Sequence, residues 1–252
     1  MQFNNIGYIC LSFSGNFMQK HHLTLYHGTD ARILSMSKTE RAAYFSDVDL
    51  ALDYLWTIWE PICHKMVIRK LWWPNGEFKG TTSIPYIESI KQQFVDAGKG
   101  RLYEKVYRYV SIADWSKQGA QKYQYGSLYL TAMKGMASTF ANDAFAGGER
   151  GEIVYYMLEG AAFLGISLGH PEEKIVRAIQ TIKAFAEGPR EPIVVILNDV
   201  DPKYLLTEGG KSADFSIELV MKAQKEGRTA PCANFRYMKK DVDLSRYPFE
   251  RV

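Results

Sequence analysis

Leu23-Thr24-Leu25-Tyr26-His27-Gly28-Thr29 is the stretch on which the reading of this chain turns. A short apolar run with β-branched and aromatic residues is expected to be a strand, and the Gly-Thr pair to end it in a donor-rich turn. A histidine would then be held at the strand's mouth, placed to hydrogen-bond whatever lies there.

On the C-terminal side, Arg41-Ala42-Ala43-Tyr44-Phe45-Ser46 reads as a second short strand. Ser46 and Asp49 then serve as cap and first-turn acid of a helix that Pro61 stops after Glu60. Leu50, Tyr54, Leu55 and Ile58 recur along that helix at a spacing that faces a core. Cys63 to Trp73 interleaves bases with aromatics before the turn Pro74-Asn75-Gly76. Such text can hold single-stranded nucleic acid, although a buried strand whose Lys and Arg heads reach solvent is the simpler expectation. Pro85 opens a helix that runs to about Ala97 and closes at Gly98. Gly98-Lys99-Gly100 lacks the third glycine and the preceding strand of a dinucleotide fingerprint. Glu104 to Trp115 suits either a helix or a strand.

Further on, Tyr125 to Thr131 is expected to be a strand, Ala132 to Phe145 a helix, and Glu152 to Phe163 a second apolar helix. Pro171 opens an amphipathic helix with Ile175, Ala178, Ile179, Ile182 and Phe185 on one face, ended by Gly188-Pro189. Pro192 to Leu197 is the best buried strand of the chain. Asp214 to Met221 reads as a further strand and Asn234 to Met238 as an edge strand.

The 252 residues and their 46% hydrophobic content suit one compact domain, residues 1–252, with insertions. Residues 55–120 or so read as a mostly helical insertion, the natural place for target recognition. The 13% aromatic share fits a thick core, or else a site that stacks planar ligands. A net charge of +3 is too small to decide a partner. Cys10, Cys63 and Cys232 form no even framework, so neither a disulfide scaffold nor a zinc site is indicated, and a reduced, cytoplasmic setting is expected. No apolar run approaches the roughly 18 residues of a membrane span, and the segment before Met18, a candidate alternative start, lacks the features of a signal peptide.

Three segments together carry a resemblance: Tyr26-His27-Gly28-Thr29, Tyr125-Gly126-Ser127-Leu128-Tyr129-Leu130-Thr131, and Ser216-Ile217-Glu218-Leu219-Val220. They resemble the His-Tyr-Glu branch of the ADP-ribosyltransferases, the group containing diphtheria toxin and the poly-ADP-ribose polymerases. The resemblance implies an α+β fold, with a split, bent antiparallel sheet clasping NAD. It also implies transfer of ADP-ribose from NAD, with no metal, to a macromolecular acceptor, in a bacterial toxin or phage-defence effector held by an antitoxin-type protein. No membrane partner is expected. The position two residues before Glu218 is Ser216 rather than an acid, which in the family points to nucleic acid (RNA or DNA) or a non-arginine protein side chain as acceptor.

The chemistry makes three demands, because the bond from nicotinamide to ribose must lengthen toward an oxocarbenium ion, much as in glycoside hydrolysis. The ribose must be oriented, the cationic nicotinamide clamped by aromatic faces, and a carboxylate set against a ribose hydroxyl. His27 answers the first demand by hydrogen-bonding the adenosine-side ribose, and Gly28, beside Thr29, lets the backbone approach the nicotinamide amide closely. Tyr129 with Ala137 and Phe140 answers the second, and Tyr44 with Ala51 and Tyr54 is a near copy of that pattern. Glu218 is the expected catalytic acid, with Glu149 and Glu152 in reserve, and Arg32, Arg41 and Arg69 are candidates for the pyrophosphate. Two other readings stay open: an NAD glycohydrolase using water in the same pocket, and a non-catalytic module binding nucleic acid or a partner through Trp72-Trp73.

Overall fold

The computed structural model describes residues 23–110, 128–207, 212–238 and 242–252. Tyr125, Gly126, Ser127, Cys10 and Met18 lie outside them. In chain order the elements are β1 (Leu23–Asp30), α1 (Ala31–Ser35), α2 (Lys38–Cys63), β2 (Met66–Trp72), β3 (Phe78–Pro85), α3 (Tyr86–Ser89), α4 (Lys91–Asp96) and α5 (Gly100–Val110). Next come β4 (Leu128–Thr131), α6 (Lys134–Asp143), α7 (Glu149–Phe163), α8 (Glu173–Glu187), β5 (Pro192–Val200), β6 (Leu205–Thr207), α9 (Asp214–Lys225), β7 (Asn234–Tyr237) and β8 (Phe249–Arg251).

The fold is α+β. One sheet runs in the order β6-β7-β4-β1-β5-β8, with every neighbouring pair antiparallel. Strand β1 lies at its centre, because Leu23 and Leu25 of β1 and Ile193, Val195 and Leu197 of β5 are all buried and give both strands a continuous apolar side. Ile217 and Val220 of α9 close over that side, with Phe235 and Tyr237 of β7. A second core lies among helices: Leu55 and Trp59 of α2, Phe94 of α4, Val106 of α5, Met157 of α7 and Ile182 of α8.

Several elements differ from the sequence expectation. Gly28-Thr29 does not end β1, which runs on to Asp30, whose carboxylate accepts from the Arg32 amide and caps α1. Arg41 to Ser46 is not a strand but part of α2. Ser37 and Glu40 form a reciprocal capping box that starts this helix upstream, and Tyr44, Val48, Ala51, Leu52 and Leu55 make one buried helical stripe. Pro61 lies in the last turn of α2 instead of stopping it at Glu60. Asp214 to Met221 is helix α9, since Ile217 and Val220 share a face at a spacing of three while Asp214 and Lys222 suit the two ends of the helix dipole. Asn234 to Tyr237 is not an edge strand, because β6 covers its outer side. Within 55–120, β2 and β3 form an exposed two-stranded ribbon where a buried strand was expected.

One packing contact seats α6 on the sheet. A Cβ on Gly28 would stand 1.9 Å from the Ala137 carbonyl oxygen and 2.6 Å from the Ala141 nitrogen, so the backbone of α6 rests directly on β1. Gly28 is therefore demanded by helix packing, and Ala137, fully buried, is the small residue opposite it.

Candidate functional site

Among the described residues β1 and β4 are registered at one pair, Tyr26 with Thr131. Beyond it, toward Asp30 on one strand and Leu128 on the other, a side chain makes the bridge: His27 Nδ1 lies 2.8 Å from the Tyr129 carbonyl oxygen. A carbonyl only accepts, so Nδ1 carries the proton and Nε2 is an acceptor. Burial pushes the imidazole below its usual 6.5, and the bond to Tyr129 opposes that shift only in part. The ring is accordingly neutral at pH 7.

Around this bridge opens a cleft of about 590 Å³, within the roughly 300–1,000 Å³ of small-molecule sites. His27 and Gly28 line it from β1, Tyr129 from β4, Phe140 from α6, and Glu149 and Glu152 from α7. Tyr129 and Phe140 are 36% and 45% exposed, so two planar apolar surfaces face the opening instead of the core. Strand alternation explains Tyr129, because Leu130 beside it is buried in the sheet core.

The two acids differ in kind. Glu152 is buried, with Oε1 2.8 Å from the Lys105 ammonium and Oε2 accepting from the Tyr109 hydroxyl at 3.4 Å. Burial pushes its carboxyl above the usual range despite the opposing pull of Lys105, and burial likewise pushes the Tyr109 hydroxyl up. Glu149 stands exposed in the first turn of α7, where the helix dipole favours a carboxylate. Lys105 and Arg108 of α5 bring positive charge to the same wall, and Arg150, which also lines the cleft, is ion-paired with Asp49. A recess of about 220 Å³ adjoins the cleft through Asp143, with Arg101 and Arg190 in its lining.

Asn234 completes the lining from β7, and its Oδ1 is buried with no hydrogen-bond partner among the described residues. An orphaned buried acceptor costs about 1–3 kcal/mol; a donor on a bound ligand would relieve it. No motif marks Asn234, Lys105 or Arg108 in the sequence. The one available signal was Asn234 itself, a residue type depleted in strands and standing at the head of one.

The structure thus brings His27, Gly28, Tyr129, Phe140, Glu149 and Glu152 together and leaves other expected residues elsewhere. Glu218 is exposed on α9 and is not among the lining residues, because a helix, not a strand, carries it. Tyr44 is a core residue whose hydroxyl donates to the Ala146 carbonyl at 2.9 Å while its ring meets Phe185; it holds the loop before α7 and does not reach the cleft. Thr29 is buried opposite Ile193, and Ala137 lies under Gly28. Arg32 is held by Asp30 and by the Phe185 and Phe145 carbonyls, and Arg41 donates to the carbonyls of Ile33, Leu34 and Met36. Arg69 lies on β2, so none of these three arginines lines the cleft.

Compared with known proteins, the chain matches no family model, no curated protein and no solved structure. Its site is therefore read from its own geometry. Among the described residues no group of three or more His, Cys, Asp or Glu is placed to hold a metal ion, and no helix is long and apolar enough to cross a membrane.

Proposed function

We propose that this chain is an NAD-dependent ADP-ribosyltransferase that binds NAD in the cleft between β1, β4 and α7. The observation that carries the reading is the meeting of His27 and Tyr129, linked by a hydrogen bond, in one cleft with the carboxylates of α7. The one register pair between the described residues of β1 and β4 supports a split sheet of the kind the ADP-ribosyltransferases use to clasp NAD.

In this reading the neutral His27 accepts at Nε2 from a ribose hydroxyl. The Tyr129 and Phe140 rings hold the nicotinamide, whose cationic ring is attracted to aromatic faces. Arg108 meets the diphosphate, with Lys105 adding positive charge from its ion pair with Glu152, and Asn234 Oδ1 takes a donor from the ligand. The carboxylate role passes from Glu218 to Glu149, which is exposed on the cleft wall, whereas Glu152 is buried against Lys105 and Tyr109. Nicotinamide leaves with the electron pair of the glycosidic bond, and its ring becomes neutral. Glu149, against the ribose hydroxyl, stabilises the positive charge growing on the sugar. The acceptor heteroatom then bonds to the anomeric carbon and gives its proton to Glu149. Such an enzyme would act in the cytoplasm as a toxin or phage-defence effector, held in check by an antitoxin-type partner.

Incubation with adenylate-labelled NAD tests this. Wild type is expected to release nicotinamide and place label on RNA, DNA or protein, with Glu149→Gln slower by about 10²–10³-fold. Label that stays entirely in free ADP-ribose would replace transfer by hydrolysis of NAD in the same cleft. Absence of nicotinamide release, or full activity of Glu149→Gln, would overturn the proposal.

A further inference from the structure

The ribbon β2–β3 stands apart from the six-stranded sheet and packs on the body chiefly through α3 at its base. Register puts Met66, Ile68, Lys70 and Trp72 on one face of β2, and a bulge after Leu71 sets Trp72 directly opposite Phe78. That face is open: Ile68 is 78% exposed, Trp72 58% and Phe78 55%. The Trp72 and Phe78 rings meet edge to face at 5.4 Å, and the Lys79 ammonium sits 4.3 Å from the Trp73 ring, itself half exposed. Each ring is thus pinned by a neighbour while keeping surface toward solvent.

Charge is concentrated here as well. Lys65, Arg69, Lys70 and Lys79 against Glu77 give residues 64–85 a formal charge of +3, as large as that of the whole chain, so the remaining residues are neutral in sum. An apolar partner alone would not account for that concentration. A lipid surface fits poorly, because the ribbon tip is the polar turn Pro74-Asn75-Gly76-Glu77, tied by the Glu77 amide to Asn75 Oδ1 at 3.1 Å, and entry into a bilayer would bury an acid.

We infer that the β2–β3 ribbon is a docking surface for single-stranded nucleic acid. Alternation puts Lys70 on the face of Trp72 and Phe78, and Lys65, Arg69 and Trp73 on the other, so a strand that wraps the ribbon stacks its bases on rings of both faces and sets its phosphates against Lys65, Arg69, Lys70 and Lys79. Single strands are selected over duplexes because only unpaired bases have faces to give to the rings. This inference does not require NAD chemistry, and its test is run without NAD so that the two can fail separately.

The measurement is fluorescence anisotropy of the full chain with labelled oligouridylate, oligothymidylate and a duplex of equal length, over a range of salt. Single strands are expected to bind more tightly than the duplex, with log K falling against log salt at a slope of about −2 to −3, as three to four neutralised phosphates give. Trp72→Ala and Phe78→Ala should each weaken binding by about 5- to 150-fold, the range for one lost stack. A Lys70→Gln, Lys79→Gln double variant, which keeps the rings, should flatten the slope by about 1.4. Both residue sets are exposed, and unchanged far-ultraviolet circular dichroism establishes that each variant is folded. Which of the two oligonucleotides binds better separates RNA from DNA. Equal affinity for the duplex, unaltered binding by the Trp72 and Phe78 variants, or equal competition by polyglutamate or phosphatidylserine vesicles would each overturn the inference.

Discussion

Replacing Gly28 by alanine tests whether α6 is seated on β1 by backbone contact. The added Cβ would lie 1.9 Å from the Ala137 carbonyl oxygen, where ordinary contact begins near 3.4 Å, so α6 must retreat by about 1.5 Å or β1 must buckle. The obstructing atoms are main chain, so no rotamer change relieves the clash. Over-packing costs about 1–3 kcal/mol when side chains can yield, and the upper end applies here because α6 packs on both β1 and β5. For a domain of this size about 3 kcal/mol lowers Tm by about 6–12 °C. Differential scanning calorimetry of three variants separates the causes. Gly28→Ala should show the full loss. Gly28→Ala with Ala137→Gly should not recover, since a carbonyl is struck and not a methyl group. Gly135→Ala, on the same helix but with nothing within 4 Å of the added carbon, should be neutral or gain up to about 1 kcal/mol from better helix propensity. Because α6 carries Phe140, displacement of the helix should also weaken ligand binding in the cleft. A Gly28→Ala protein melting within about 2 °C of wild type would refute this account of the β1–α6 contact.

His27 should make the protein sensitive to acid. Its unfolded pKa is 6.5 and its folded value is lower, so its contribution is complete above 6.5 and is lost as pH falls through the folded value, at up to about 1.4 kcal/mol per pH unit. Comparing urea unfolding of wild type and His27→Gln across this window measures it, and parallel curves would contradict it. Lys105→Met should cost about 3 kcal/mol at neutral pH by leaving Glu152 charged and buried. The Glu152 carboxyl is already raised above its unfolded value, so the penalty should shrink as pH falls and the acid takes up a proton; a penalty independent of pH would count against it. Glu218→Gln should leave both NAD turnover and Tm unchanged, within about 0.5 kcal/mol for an exposed site, and loss of turnover would return the catalytic role to α9.

Local pattern alone determined the most apolar strand and one clearly amphipathic helix. The buried run Pro192 to Leu197 is a strand, and Ile175, Ala178 and Ile182 do form the buried stripe of α8, because in both cases each residue's neighbours in sequence are also its neighbours in the packed element. Segments of weaker pattern were open to tertiary decision. Arg41 to Ser46 looked extended until a cap four residues upstream made it helical, and Ser216 to Val220 joined a helix whose buried residues, Ile217 and Val220, fall three apart while Leu219 is exposed. The acid of the candidate site is where the text pointed to the wrong segment. The local run around Glu218 favours that residue over Glu149 and Glu152, but the fold sets the latter two beside His27 and Tyr129 and leaves Glu218 exposed on α9. Likewise the sequence offered Gly28 as a residue that lets a ligand approach, whereas the space beside it belongs to a helix. Periodicity is a property of one segment and can be read along the chain. Convergence is a property of several segments at once, and it exists only when packing has brought them together.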